Sequence, residues 1–351
     1  MLKQSVKNKL QEGTVIPAHP LALTPDKQLD EAHQRALTRY YLDAGAGGMA
    51  VGVHTTQFEI RDPQFNLFEK VLRMAIEETE KANAPESFIK IAGICGPVEQ
   101  AVKEAQYSKG IGYDLGLLSM GGLDGYTEDE LIERAERVGE EIPLVGFYLQ
   151  PAVGGRVFSY DFWKRFADIP SVHAIKIAPF NRYQTFDVVR AVCNSERNEE
   201  IALYTGNDDN IVADLLTPYR VKVGDRTVEK QIVGGLLGHW AVWTKQVVSL
   251  FSEIKRAQSD ARIPKDLLMR GQEITDANAA LFDASNGFKG SIAGINEVLS
   301  RSGLLQGNWC LMDEERLSPG QMEEINRIYE SYPHLTDDQF IKENLSRWLS
   351  D

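Results

Sequence analysis

PLVGFYLQPAVGGRVFSYDFWKRFADIPSVHAIKIAPF, residues 143–180, holds two short apolar runs, 143–148 and 172–177, with one helix-length segment between them. The first run ends at Tyr148-Leu149-Gln150-Pro151, and the second carries Lys176. Such a unit has the size of a βα repeat, roughly 30 residues. The theme recurs outward in both directions. Apolar runs stand at 13–16, 48–53, 88–94, 113–119, 143–148, 172–177, 201–205 and 231–236. Segments of helical periodicity separate them. In residues 66–81, Leu67, Phe68, Val71, Leu72 and Ala75 share one helical face. Residues 127–141 open on Thr127 and acidic side chains, which suits the positive end of a helix dipole. Eight such units predict a (β/α)8 barrel. A doubly wound open sheet is the alternative, but no GxGxxG or GxxxxGK[ST] motif supports nucleotide binding there.

After Gly238 the strand signals stop. Residues 239–257, 265–282, 290–304 and 319–332 read as helices, with Asn286-Gly287 as a turn. The expected organisation is therefore a barrel over 1–238 and a helical region over 239–351, packed on the barrel or making subunit contacts.

Composition narrows the function. The 351 residues are 43% hydrophobic and 25% charged, ordinary for a globular protein. A net charge of −13 and the absence of a basic run argue against nucleic acid or an anionic membrane as partner. Cys95, Cys193 and Cys310 are far apart and form no CxxC pair, so neither a disulfide framework nor a zinc ribbon is expected. The first residues, MLKQSVKNKLQEG, lack the apolar core of a signal peptide. A cytoplasmic enzyme is the expectation.

In a barrel, side chains at the C-terminal strand ends line the active site. Lys176 is the most informative of them. Alternation sets Val172, Ala174 and Lys176 on one face. Pointing inward, the lysine loses hydration, its pKa falls, and the neutral amine attacks a carbonyl. A lysine paired with a buried carboxylate, or reaching to solvent, fits the same spacing. Tyr148 ends the preceding strand, where a phenol relays protons; an aromatic core plug is the plainer reading. Thr55-Thr56 suits a carboxylate or phosphate oxygen, or simply caps a helix. His19, His54 and His239 with Glu59, Asp62 and Asp208 invite a metal site, but no HxH or HExxH spacing occurs, and no metal or other cofactor is expected.

These segments together resemble the dihydrodipicolinate synthase and N-acetylneuraminate lyase family of class I aldolases. The resemblance covers most of the chain. GTVIPAHPLALTPDKQLD (13–30) is similar to the family's first strand and loop, and VGVHTTQFE (51–59) to its carboxylate-holding Gly-Thr-Thr-Gly-Glu loop. VGFYLQPAVGG (145–155) resembles the strand end that bears the catalytic tyrosine, and HAIKIAPF (173–180) the strand of the Schiff-base lysine. LYTGNDDN (203–210) is similar to the Gly-x-Asp segment after strand seven, and GGLLGHW (234–240) to the Gly-rich strand eight. The resemblance implies Lys176 and Tyr148 as catalytic residues and Thr55 and Thr56 as the carboxylate grip. It also implies His54, Gly206, Arg156 and Asp208 at the substrate, and a homo-oligomer, tetramer or dimer.

Departures from the pattern bear on the substrate. After strand four the family carries an aromatic cluster, where this chain has Ser119-Met120-Gly121-Gly122, with Tyr126 further on. Val153 stands at the synthase's arginine, and Arg156 follows three residues later. Both point away from 4-hydroxy-tetrahydrodipicolinate synthesis and toward a lyase or dehydratase acting on pyruvate or a sugar-acid-derived 2-keto acid. The rivals are a genuine synthase, a keto-acid-binding relative without turnover, and an unrelated metal-dependent barrel hydrolase.

Overall fold

The computed structural model describes residues 1–260 and 262–350. A first helix, α1 (Gln4–Glu12), precedes β1 (Val15–Pro17), α2 (Glu31–Ala44) and β2 (Gly48–Val51). Next come α3 (Phe68–Lys81), β3 (Ile89–Ile94), α4 (Val98–Gly110), β4 (Leu115–Leu118) and α5 (Glu128–Gly139). They are followed by β5 (Leu144–Leu149), α6 (Tyr160–Asp168), β6 (Val172–Ala178) and α7 (Arg182–Cys193). The last strands are β7 (Ala202–Thr205), β8 (Pro218–Val223) and β9 (Arg226–Leu237), with the short α8 (Ile211–Leu216) before β8. Five helices close the chain: α9 (Thr244–Gln258), α10 (Lys265–Leu281), α11 (Ser291–Arg301), α12 (Gln321–Ser331) and α13 (Asp338–Leu349).

Hydrogen-bonded neighbours run β1-β9-β7-β6-β5-β4-β3-β2. A parallel bridge between Ala18 and Ala50 returns that order from β2 to β1. The fold is a (β/α)8 barrel with a C-terminal helical region. Each of the eight apolar runs overlaps one barrel strand. Polar residues start the helices as the sequence suggests: Thr127 and Glu130 form a reciprocal capping box on α5, and Ser159 and Asn181 cap α6 and α7.

Three elements went unread in the sequence. Two are the helices α1 and α13. The third is the hairpin of β8 with the first half of β9, which pairs antiparallel from Pro218↔Gln231 to Val223↔Arg226. Its turn is Gly224-Asp225, with Gly224 at φ +59°. A two-residue Gly-Asp turn between alternating Tyr219, Val221, Val223 and Val228 was the available signal.

The chain divides into two compact units, residues 1–14 with 86–236, and residues 15–85 with 237–351. The expected 238/239 boundary lies inside the second. In the first unit the strand registers stack Gly93, Leu117, Val145, Ala174 and Ala202 in one layer. Small side chains dominate that layer, which leaves room for longer ones above it. Tyr204 reaches from β7 to donate its hydroxyl to the Leu10 carbonyl of α1 at 3.0 Å.

The second unit is pinned by buried polar groups. Glu78 on α3 accepts from Arg35 and Arg39 of α2. Asp337, next to α13, accepts from the Tyr40 hydroxyl at 2.7 Å and the Lys245 backbone N–H at 2.9 Å. Burial outweighs those two hydrogen bonds and raises the Asp337 carboxyl to about 6. The folded protein therefore holds this proton more tightly than the unfolded chain. The stabilisation is complete below about pH 4, the unfolded value, and is lost as pH rises through 6. Asp337→Asn should flatten the melting temperature between pH 4 and 7. It should also gain about 2–3 kcal/mol relative to the parent above pH 7, read by chemical denaturation.

Candidate active site

Register decides which side chains meet Lys176. At the foot of the pair Leu144 faces Val172, but the next pair is Val145↔Ala174, so His173 is an extra residue on β6. This bulge shifts the ladder by one. Without it, Tyr148 would stand opposite Lys176. With it, Phe147 pairs with Lys176 and Tyr148 with Ile177. A one-residue shift turns alternate side chains to the other face. Tyr148 faces α6, its ring 5.0 Å from Trp163 and 6.0 Å from Phe158. Burial raises its phenol, and the Phe158 backbone opposes that rise. Gly146, on the same face, has Phe166 of α6 where a Cβ would lie.

Lys176 is 7% exposed. Its Nζ lies 4.3 Å from the centroid of the Phe147 ring. Gly206 forms the opposite wall: a Cβ there would lie 2.6 Å from Lys176 Cε and 2.7 Å from Ala178 Cβ. Only glycine leaves the lysine its place. Burial lowers the Lys176 pKa to about 8, and the nearby charge of Asp208 opposes that fall. At pH 7 roughly a tenth of the amine is neutral, against well under a hundredth for a surface lysine.

The loop after β7 carries Gly206 and Asp208, and buried polar groups fix it. Gly206 N–H donates to the Ile177 carbonyl at 2.7 Å, which continues the β6–β7 ladder. Asp214 of α8 accepts from the Thr205 hydroxyl at 2.7 Å and the Asn207 amide at 2.9 Å on one oxygen. Its other oxygen accepts from Asn210 and Arg182. Asn207 in turn accepts from the Phe180 N–H at 3.0 Å, tying the loops after β6 and β7 together. Asp214 and Asn207 are positioning residues for Gly206 and Asp208. Phe147 and Asp214 were missed in the sequence, since the bulge is needed to see the first and the folded loop to see the second.

The first unit thus brings together Lys176, Gly206 and Asp208. Arg156 is engaged by loop backbone and an aromatic ring. Its guanidinium donates to the Tyr126 carbonyl at 2.8 Å and lies 5.2 Å from the centroid of the Phe158 ring, joining the loops after β4 and β5. The other expected residues belong to the second unit. His54, Thr55 and Thr56 form a single 3-10 turn after β2. The Thr56 hydroxyl donates to the His19 carbonyl at 2.6 Å and accepts from the N–H groups of Gly52 and Val53. Thr55 donates its hydroxyl to the Ala18 carbonyl at 2.8 Å. His54 lies beside Phe58. His19 is a satisfied core histidine, bonded to Thr38 and the Pro20 carbonyl and lowered by burial to about 4. Burial lowers His239 to about 4 as well.

No sequence-family model matches the chain, and no curated protein does. Solved structures do. Dihydrodipicolinate synthase from Oceanobacillus iheyensis aligns with a TM-score of 0.73 at 15% identity, over 94% of this chain and 99% of its own. The chain has the dihydrodipicolinate synthase fold. A prophage protein of the dihydrodipicolinic acid synthase family from E. coli K12, in complex with pyruvate, aligns with a TM-score of 0.73 at 16% identity over 92% of this chain and 98% of its own. N-acetylneuraminate lyase from Fusobacterium nucleatum, complexed with pyruvate, gives 0.68 at 16% identity over 93% and 99%.

Lys176 in this fold should acylate with acetic anhydride along a titration centred near pH 8, well below the other lysines, when peptides are quantified by mass spectrometry. Removing the charge of Asp208 removes a stabiliser of the ammonium. Asp208→Asn should therefore move the midpoint down, and an upward move would contradict the geometry.

Proposed function

We propose that this protein is a Schiff-base-forming lyase, an aldolase or dehydratase, that acts on pyruvate or a sugar-acid-derived 2-keto acid through Lys176. The observation that carries this is a buried lysine, lowered to about 8, held between an aromatic ring and a glycine at a barrel strand end. The pyruvate complexes of two proteins that share the fold support the substrate class.

The neutral Nζ attacks the keto carbon and forms a carbinolamine. Loss of water gives an iminium, which accepts electrons as a C–C or C–O bond beta to it breaks, or supplies an enamine as one forms. Each step moves a proton. Phe147 has none to give, so Asp208, buried and in electrostatic reach of Lys176, takes the relay that the resemblance assigns to Tyr148. In the Thr55–Thr56 turn, to which the resemblance assigns the carboxylate grip, the Thr56 hydroxyl is fully engaged. A homo-oligomer in the cytoplasm is the accompanying expectation.

Reduction with borohydride in the presence of pyruvate should leave a stable adduct on the Lys176 peptide. Lys176→Ala should abolish adduct and turnover. Asp208→Asn should slow turnover by about 10²–10⁴-fold. Tyr148→Phe should keep turnover within a few-fold, because the Tyr148 ring packs against Trp163 of α6. A hundred-fold loss in Tyr148→Phe would contradict the assignment.

A second reading rests on Phe147. An apolar ring beside the amine suits a protein that binds a keto acid without turning it over. It predicts the borohydride adduct with no cleavage or dehydration across a panel of 2-keto-3-deoxy sugar acids.

A further inference from the structure

The residues just before β5 and β6 line a cavity of about 460 Å³ within the first unit. That volume falls in the range of small-molecule pockets, roughly 300–1,000 Å³. Lys7 of α1, Lys109 of α4, Ser171 and His173 contribute to its wall, as do Glu140 and Glu141 after α5. His173 is the extra residue of the β6 bulge. A bulge re-aims a side chain, and this one leaves the imidazole at the cavity. Its buried Nδ1 has no hydrogen-bond partner among the described residues.

The charges of this wall are unevenly matched. Glu140 is taken by Arg137 at 2.9 Å, and Glu141 accepts from the Gln106 amide at 3.1 Å. Lys7 and Lys109 form no salt bridge among the described residues. Burial drives the His173 imidazole down to about 4, Arg197, Lys7 and the Met1 amino group push the same way, and Glu200 opposes them. Arg197 is itself held by Glu200 at 3.0 Å and by the Val172 carbonyl at 2.9 Å. His173 is therefore neutral at pH 7 and stands in a positive field. Lys109 and Gly139 lie in the last turns of α4 and α5, where helix dipoles are negative, and Lys109 and Arg137 offset those ends. On a chain of net charge −13, a cavity with two unpaired ammonium groups and a neutral imidazole is out of keeping with its surroundings.

We propose that this cavity binds a small dianion bearing phosphate or carboxylate groups, held by Lys7, Lys109, His173 and the Ser171 hydroxyl. The two ammonium groups supply the attraction. An anion among them reverses the field at His173 and draws a proton onto the ring, so that Nδ1–H becomes a charge-assisted donor to it. The empty site holds that proton only below about pH 4, and the occupied site holds it at higher pH. Between those two values each binding event takes up a proton, and affinity rises as pH falls. Lys176 lies three residues further along the same strand, about 10 Å away, and takes no part.

Titration calorimetry of the native protein with sulfate and with tartrate tests this. Sulfate stands in for phosphate and tartrate for a dicarboxylate, and both stay dianionic between about pH 6 and 8, so any proton taken up comes to the protein. At least one should bind with a Kd below about 5 mM at pH 6, and about ten-fold more weakly at pH 8. The one that binds more tightly tells phosphate from carboxylate recognition. Heats in buffers of different ionisation enthalpy should show uptake of up to about one proton at pH 6, which His173→Asn removes. Lys7→Met combined with Lys109→Met should weaken binding about ten-fold or more. Lys176→Ala should bind as the parent does, which separates this site from the chemistry of Lys176. The pH dependence and the proton uptake are read on the parent alone, so they decide even where a variant misfolds. No binding of either anion at pH 6, or binding without proton uptake, would overturn the proposal.

Discussion

An ammonium taken out of water is the constraint on which the candidate site is built. Desolvating such a group costs several kcal/mol even after a protein relaxes around it. At Lys176 two contacts offset part of that cost. The Phe147 ring, with Nζ 4.3 Å from its centroid, contributes about 1–2 kcal/mol where water is excluded. Asp208 supplies an opposite charge. Neither is a close salt bridge, and the balance leaves the lysine near pH 8, charged for the most part yet easily deprotonated. The surroundings follow from this. Position 206 has no side chain because the lysine stem fills that space. Asp214 has all its acceptor sites committed to Thr205, Asn207, Asn210 and Arg182, which holds the loop of Gly206 and Asp208. Buried carboxylate networks of this kind rigidify a site when every member is satisfied.

The barrel was legible because its signals are local. Each strand is a short apolar run, each connection a helical pattern, and their alternation gives the topology. Lys176 was legible for the same reason, as a single cation within an apolar run. The ladder partner of Tyr148 was not legible, because it depends on a non-local quantity, the register between β5 and β6. The two strands are 28 residues apart along the chain, from Leu144 to Val172, and so are Tyr148 and Lys176. Equal spacing makes them partners in a regular ladder. One extra residue at His173 undoes that, and nothing in Val172-His173-Ala174 announces a bulge. The hairpin of β8 and β9 was passed over for a different reason. Its strands are largely exposed and carry alternating polar residues, so no apolar run marks them.

The polar residues of the two units serve different ends. In the second unit the burial of Glu78, Asp337 and His19 is structural. Glu78 joins α2 to α3, Asp337 joins α13 to α2 and α9, and His19 is closed off by Thr38 and a backbone carbonyl. In the first unit the buried charges at the strand ends are less completely paired. Lys176 has an aromatic face in place of a carboxylate, and Arg134 has a carbonyl and a thioether. Incompletely paired buried charge is retained at cost, and it lies where this fold keeps its chemistry.

The most direct measurement is a crystal structure of the protein soaked in pyruvate. The account predicts continuous electron density from Lys176 Nζ to the keto carbon, with the Phe147 ring beside it, Asp208 facing it and Tyr148 turned into the α6 layer. Free lysine density with pyruvate bound elsewhere, or a Tyr148 hydroxyl against the adduct, would contradict it.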